Sequence, residues 1–351
     1  MKKVGWIVLL FLGLIGCKID TAETETNENS DNKDVIPTYA NGIVIDDITY
    51  EKTGEILVMK NEITIEGSSS RNHYDCFRNG RTVTLSPFYM CKYEITQELY
   101  DAVMQGQIIT IDGKDYVLNS RPSGYVKLKP VFYITWYDAI YFCNILNEKI
   151  GLEKCYNIEI KKIERNHITD ADVSFIENTN GYRLPTIHER QFVARGADPA
   201  GYWWDKKRYK STLTIDSDTS FSKVDSSLDE YCWYKYNSGD SNGISDENSK
   251  NPIIHEVGLK KADSLGLYDI YGNVYEWCFD SPYDDGFYLG TFKNPVKHQL
   301  GDLKKIVAGE SYNSEGSIVQ CFGMAFNKIY ASYTDVGIRL CRSYFSDNIS
   351  K

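Results

Sequence analysis

The sequence predicts an α+β fold with few helices and much irregular chain. Only three stretches begin as helices do, and the remaining apolar residues fall in short, turn-bounded pieces suited to strands. Aromatic and Gly-rich sequence then continues from about Ile43 to the carboxyl end without a second linker, which argues for one large domain.

The elements follow in chain order. Thr96 precedes Gln97, Leu99, Tyr100, Val103 and Met104 and can cap a helix there. Thr135 precedes Trp136, Ala139, Ile140, Cys143 and Leu146, which recur at helical spacing. Asp138 puts an acid among the free amides of that first turn, and Gly151 supplies a stop. Thr186 and Glu189 form a Thr-x-x-Glu capping box ahead of Phe192 and Val193. Strand material is expected at 56–59, at 82–89 and in short pieces after Lys210. No repeat of the solenoid kind is present.

The amino end carries an address. Lys2 and Lys3 form a positive head, and residues 4–15 are apolar apart from Gly5 and Gly13, the layout of a secretory signal peptide. The run is too short for a transmembrane helix, which needs about 20 apolar residues. Leu14-Ile15-Gly16-Cys17 resembles the lipobox of bacterial lipoproteins. That resemblance implies a signal peptide over 1–16, cleavage before Cys17 and lipidation of Cys17; several acyl chains on one residue anchor stably. Residues 18–39 are polar and acidic and cannot bury a core, so 17–40 reads as the lipidated cysteine and a disordered tether. The folded domain is expected over 41–348, in the cell envelope, held on a membrane at the outer membrane or periplasmic face.

Composition narrows the partners. The formal net charge is −10, and removing Lys2 and Lys3 makes it more negative, which disfavours a nucleic-acid partner. Tyrosine, at 27 residues against 14 Phe and 6 Trp, is amphipathic and suits a recognition face. Besides Cys17 the cysteines are Cys76, Cys91, Cys143, Cys155, Cys232, Cys278, Cys321 and Cys341. An exported chain can form disulfides, but the pairing is not readable, and no Cys-x-x-Cys supports a zinc or thioredoxin-like site. His73, His167, His188, His255 and His298 lack metal-ligand spacing and read as surface or satisfied polar residues.

Six motifs in order carry a family resemblance. They are Phe88-Tyr89-Met90-Cys91-Lys92-Tyr93-Glu94-Ile95-Thr96-Gln97, then Lys129-Pro130-Val131 with Ile134-Thr135-Trp136-Tyr137-Asp138-Ala139, then Tyr182-Arg183-Leu184-Pro185-Thr186 with Glu189 and Ala194-Arg195-Gly196. Gly266 to Trp277, read as G-L-Y-D-I-Y-G-N-V-Y-E-W, comes next, followed by Gly309-Glu310-Ser311-Tyr312 and Gly337-Ile338-Arg339. Together these resemble the formylglycine-generating enzyme, or sulfatase-modifying factor, family over roughly residues 50–343. The resemblance implies a C-type-lectin-like core elaborated with long irregular segments.

It also implies sites. Enzymes of the family oxidise a sulfatase cysteine with oxygen and a copper ion held by two thiolates, ligands suited to Cu(I). Here Ser314 stands where the first thiol belongs and Val319 near the second, with Cys321 two residues later. Cys321 is the single candidate for a catalytic thiol and one thiol cannot make the pair, so neither copper nor oxidase activity is expected. Glu310, Arg190 and Tyr275 depart from the family's Gly, Trp and Trp; Gly accepts positive φ where Glu does not readily. The family's structural calcium would fall on Gly272, Asn273, Val274 and Glu276, oxygen ligands for a hard cation. The alternative is a turn at Asn273, a buried hydrogen bond at Glu276 and Trp277 in the core. A second family calcium site, after Trp203-Trp204, cannot be placed.

The function expected is a non-catalytic module that binds a protein or glycan. Its ligand face would be Tyr312, Asn313, Ser317, Gln320, Phe322, Tyr330 and Tyr333, aromatic and adaptable polar residues of the kind that line recognition surfaces. The layout of 309–343 also looks like variable proteins diversified by retroelements. The alternatives are a copper-dependent formylglycine-generating oxidase and a structural subunit of an envelope assembly.

Overall fold

Three threonines set the helices. Thr96 caps α1 (Gln97–Met104) by accepting from the Leu99 amide. Thr135 caps α2 (Trp136–Lys149) in a full capping box with Asp138, and Thr186 does the same for α3 (Ile187–Ala194) with Glu189. Gly151 follows the end of α2 at φ +74°, as a helix stop requires. A one-turn helix, α4 (Leu228–Tyr231), completes the set among the described residues. This computed structural model describes residues 39–68, 75–119, 124–198, 228–239, 251–282, 289–315 and 323–346. The chain divides into Met1–Val35 and Ile36–Lys351, and all described residues lie in the second unit. Cys17 and the apolar leader therefore fall outside them. Among the described residues no helix is long and apolar enough to cross a membrane.

The strands form small sheets, mostly antiparallel. A four-stranded sheet runs Met324–Lys328, Lys304–Ala308, Tyr275–Trp277, Val336–Gly337 in spatial order, the last pair parallel. Phe88–Cys91 lies between Glu55–Leu57 and Cys341–Ser343, so strands from both ends of the domain share one partner. Arg81–Leu85 lies between Ile63–Glu66 and Gly290–Lys293. The expected strand over 82–89 is two strands, Arg81–Leu85 and Phe88–Cys91, in different sheets. Pro87 sits between them, and proline cannot donate to a ladder.

The longest strands among the described residues, Tyr156–Glu164 and His167–Phe175, make a hairpin that the sequence reading did not single out. Its signal is alternation: Ile158, Ile160 and Ile163 are separated by charged residues. Arg165 and Asn166 close it at φ +50° and +65°, the signs a type I′ turn needs.

One apolar core joins α1, α2, this hairpin and Trp277. Tyr100 of α1 stacks on Phe142 of α2 with ring centroids 5.0 Å apart. A second core gathers Phe192 of α3, Val83, Met90 and Tyr271. Few helices, short sheets and long irregular connections are the α+β arrangement the sequence predicted.

Candidate functional site

Glu276 is the middle residue of the strand Tyr275–Trp277 and is fully buried. Arg190 of α3 donates its Nε to Glu276 Oε2 at 2.5 Å, and Arg339 donates its Nε to Oε1 at 2.8 Å. Arg339 also donates to the carbonyls of Cys91 (3.1 Å) and Tyr268 (2.7 Å). A buried carboxylate between two buried guanidiniums is tolerable only because hydrogen bonds satisfy the ions. This unit ties α3, the Tyr275–Trp277 strand and the Gly337-Ile338-Arg339 segment together.

The turn before the strand is equally committed. Gly272 sits at φ +79°, and a Cβ there would lie 2.0 Å from the Trp233 carbonyl oxygen, so the position admits only glycine. Asn273, at φ +58°, accepts the His255 amide at Oδ1 (3.0 Å) and donates from Nδ2 to Glu94 Oε2 (2.7 Å). Glu94 Oε1 in turn accepts the Val274 amide at 3.1 Å. Burial, reinforced by the Asp269 charge, pushes the Glu94 carboxyl well above its ordinary range.

Beyond the strand lies the 309–315 loop. Glu310 adopts φ +60°, so the chain keeps a left-handed conformation here without glycine, at the strain such a residue carries. Ser314 is buried; its Oγ accepts the Ser311 amide at 3.0 Å and donates to the Tyr275 hydroxyl at 3.3 Å. Ser311 Oγ donates to Asp335 at 3.3 Å. Burial pushes the Tyr275 hydroxyl up to about 12. Glu315 accepts from Lys235 and Tyr236. The loop is a hydrogen-bonded patch of hydroxyls with no thiol among its described residues.

A half-open cleft of about 790 Å³ lies between the hairpin tip, the start of α2 and the turn after the strand Met324–Lys328. Tyr133, His167, Thr169, Tyr330 and Ser332 are in its wall.

A family model for the sulfatase-modifying factor enzyme 1-like domain matches residues 48–344. The chain belongs to the sulfatase-modifying factor family. A relative in Paenibacillus barcinonensis, described as "Chaperone protein LppX", is 31% identical over 240 residues, which span 65% of this chain and 74% of that one. Among solved structures, Treponema denticola variable protein 1 superposes with TM-score 0.56 at 25% identity, over 81% of this chain and 94% of its own. PvdO from Pseudomonas aeruginosa superposes with TM-score 0.54 at 15% identity, over 83% and 94%, and speaks to the fold alone.

For a sulfatase-modifying factor domain the copper thiols are the decisive residues. Ser314 fills the first of those positions, and Cys321 lies outside the described residues, as do Ser317, Gln320 and Phe322. The described cysteines, Cys76, Cys91, Cys143, Cys155, Cys232, Cys278 and Cys341, are all buried. Burial raises the thiols of Cys91, to about 12, and of Cys143, Cys155, Cys232, Cys278 and Cys341, the opposite of what a thiolate ligand needs. Ser314, and a serine hydroxyl in general, does not fit a soft copper site.

The calcium set fares no better as a set of side chains. Both oxygens of Glu276 accept from guanidiniums, and Asn273 Oδ1 accepts an N–H, so these side chains are hydrogen-bonded without a cation. Gly272 and Val274 would bring backbone carbonyls only. The geometry is that of the other reading: a turn, a buried hydrogen-bonded carboxylate, and a fully buried Trp277 donating to the Ile134 carbonyl at 3.3 Å. Arg190, which departs from the family's Trp, supplies one of Glu276's two partners.

The expected ligand residues separate. Tyr312 and Asn313 are in the hydroxyl patch, where Tyr312 accepts from Ser238 through its carbonyl at 2.7 Å. Tyr333 packs edge-on against Trp277 at 6.3 Å and its hydroxyl accepts the Lys328 amide at 3.0 Å, so it holds the fold together. Tyr330, 42% exposed, is in the cleft. Tyr133, which sequence reasoning passed over, and His167, read there as a surface or satisfied polar residue, join it. A tyrosine beside the Pro130-Val131 motif gave no signal, because its exposure depends on a backbone conformation that only the fold imposes.

Proposed function

We propose that this chain is an exported lipoprotein, anchored through Cys17 in the cell envelope, whose sulfatase-modifying factor domain binds another protein without oxidising cysteine. The observation that carries the reading is Ser314, a buried hydroxyl locked by Ser311 and Tyr275 where the family's catalytic pair needs a thiolate. The chaperone description of the Paenibacillus barcinonensis relative supports a role in attending a second protein rather than transforming it. The acidic balance of the chain disfavours nucleic acid as that partner. Its protein-binding face would include Tyr312 and Asn313.

The test has two arms. Cells expressing the full chain are fed an alkyne-bearing fatty acid; labelling that disappears in Cys17→Ser supports the anchor, and labelling that persists removes it. Purified protein is then given a Cys-x-Pro-x-Arg peptide, Cu(I) and oxygen. The expected outcome is an unchanged peptide. Formylglycine in the product, lost in Cys321→Ser, would establish the oxidase instead.

A further inference from the structure

The cleft beside α2 has a chemistry of its own. Its wall contains Tyr133, His167, Thr169, Tyr330 and Ser332, with Glu164 and Arg165 at the hairpin tip. No Leu, Ile, Val, Met or Phe is among its described lining residues. A peptide anchor needs a pocket of that apolar kind. The two rim charges are opposite in sign, and Glu164 is paired further with Lys162 at 2.7 Å, so no field selects an anion or a cation. What the wall offers is two tyrosine rings, an imidazole, hydroxyls and an amide.

The aromatic groups are held open. Tyr133 and Tyr330 are each 42% exposed. Tyr133 is at φ +61°, a strained conformation for a bulky residue, and its amide is pinned to the Tyr333 carbonyl at 3.0 Å. Strain of this kind persists where the surrounding structure enforces it, and it collects at binding sites. The Tyr133 ring meets His167 edge-on at 5.9 Å. His167 is fixed by Nδ1 against Asp138 at 2.6 Å, while Asp138 Oδ1 accepts the Ile168 amide at 2.9 Å. Thr169 Oγ1 is buried and no protein group hydrogen-bonds to it, so it can serve a polar ligand.

We propose that this cleft binds an uncharged saccharide, with a sugar ring against Tyr133 or Tyr330 and sugar hydroxyls on Thr169, His167 and the rim. Sugars present an apolar C–H face and a fringe of hydroxyls, the complement of amphipathic rings set among neutral donors and acceptors. The proposal is independent of copper, calcium and the protein-binding reading: it uses none of the 309–315 residues.

The experiment uses the full chain in detergent. Binding is measured first on an array of neutral glycans and then by calorimetry with the best neutral probe, starting from cellohexaose, maltohexaose and chitotetraose. At least one neutral glycan is expected to bind. Tyr330→Ala and Tyr133→Gly should each weaken it about tenfold, the effect of losing one aromatic contact. Tyr133→Gly also relieves the positive φ, so its thermal midpoint should stay level or rise, which separates lost binding from lost folding. Three results would overturn the proposal. They are no neutral glycan retained anywhere on the array, affinity unchanged in both variants, or displacement of the probe by an aromatic peptide that itself depends on Tyr133 and Tyr330.

Discussion

Lys305 donates its ammonium to His298 Nδ1 at 2.6 Å, and His298 can accept there because its Nε2–H is committed to the Val173 carbonyl at 2.7 Å. The lysine is 1% exposed, on the strand Lys304–Ala308, and also donates to Ser281 at 2.8 Å. Trp136 and Phe279 offer it ring faces at 4.7 and 5.3 Å.

The first prediction concerns that charge. Burial pushes the Lys305 ammonium down to about 8 from an ordinary 10.5, against the attraction of Asp280 and Asp302. In the unfolded chain the lysine keeps its proton up to the ordinary value, so between about pH 8 and 10 the unfolded state holds more protons. The cost of burying the charge is therefore full below pH 8 and is relieved as pH rises through that window. Urea unfolding of the native chain and Lys305→Met across pH 7–10 should show it. The native chain gains stability relative to the variant as pH rises, by at most about 1.4 kcal/mol per pH unit. A flat difference would mean that folding leaves the Lys305 ammonium at its ordinary value.

Glu276→Gln removes the charge shared by Arg190 and Arg339 and leaves two buried guanidiniums short of a counter-ion. A loss of about 3–5 kcal/mol is expected, read as a lower urea midpoint. Because both Glu276 oxygens already hold guanidiniums, adding calcium or a chelator should leave the native midpoint where it is. A calcium-dependent rise in midpoint would contradict that assignment.

Gly337→Ala tests the close approach beside Arg339. A Cβ there would lie 2.3 Å from the Val131 carbonyl oxygen and 3.0 Å from a Val274 methyl. Backbone would have to move, and a destabilisation of about 1–3 kcal/mol follows, on the scale of overpacking elsewhere. An unchanged thermal midpoint would show that the segment yields freely.

Thiol chemistry gives the fourth. The described cysteines are all buried. An aromatic disulfide reagent should modify no thiol quickly in folded Cys321→Ser chain carrying Cys17→Ser, and should modify Cys76, Cys91, Cys143, Cys155, Cys232, Cys278 and Cys341 after denaturation. Rapid reaction of any of them in the native state would break the picture of inert core sulfur.

Local grammar in the sequence foretold the helices because their signals are local. Thr96, Thr135 and Thr186 each satisfy an amide three residues on, so a cap can be read without knowing the fold. The family motifs likewise mark the scaffold, since Glu276 pairs with Gly337 and accepts from Arg339. The partners of Glu276 were hidden, because Arg190 stands 86 residues away from it and an arginine on a capped helix reads as solvent-facing. The cleft was hidden for the same reason. Tyr133, His167 and Tyr330 belong to three separate segments, and nothing within any of them says that the other two are near.

The placement of Phe88–Cys91 between Glu55–Leu57 and Cys341–Ser343 bears on how the molecule is made. Arg342 donates to Glu55 at 2.5 Å across 287 residues. A chain that emerges amino end first must hold Glu55–Leu57 and the buried Glu55 carboxylate in waiting until Arg342 arrives 287 residues later. Pairing over such sequence separations is slow and leaves sticky, half-sheeted species exposed. Completion of the domain thereby waits on Arg342, and a chain stopped short of it lacks the closing clasp.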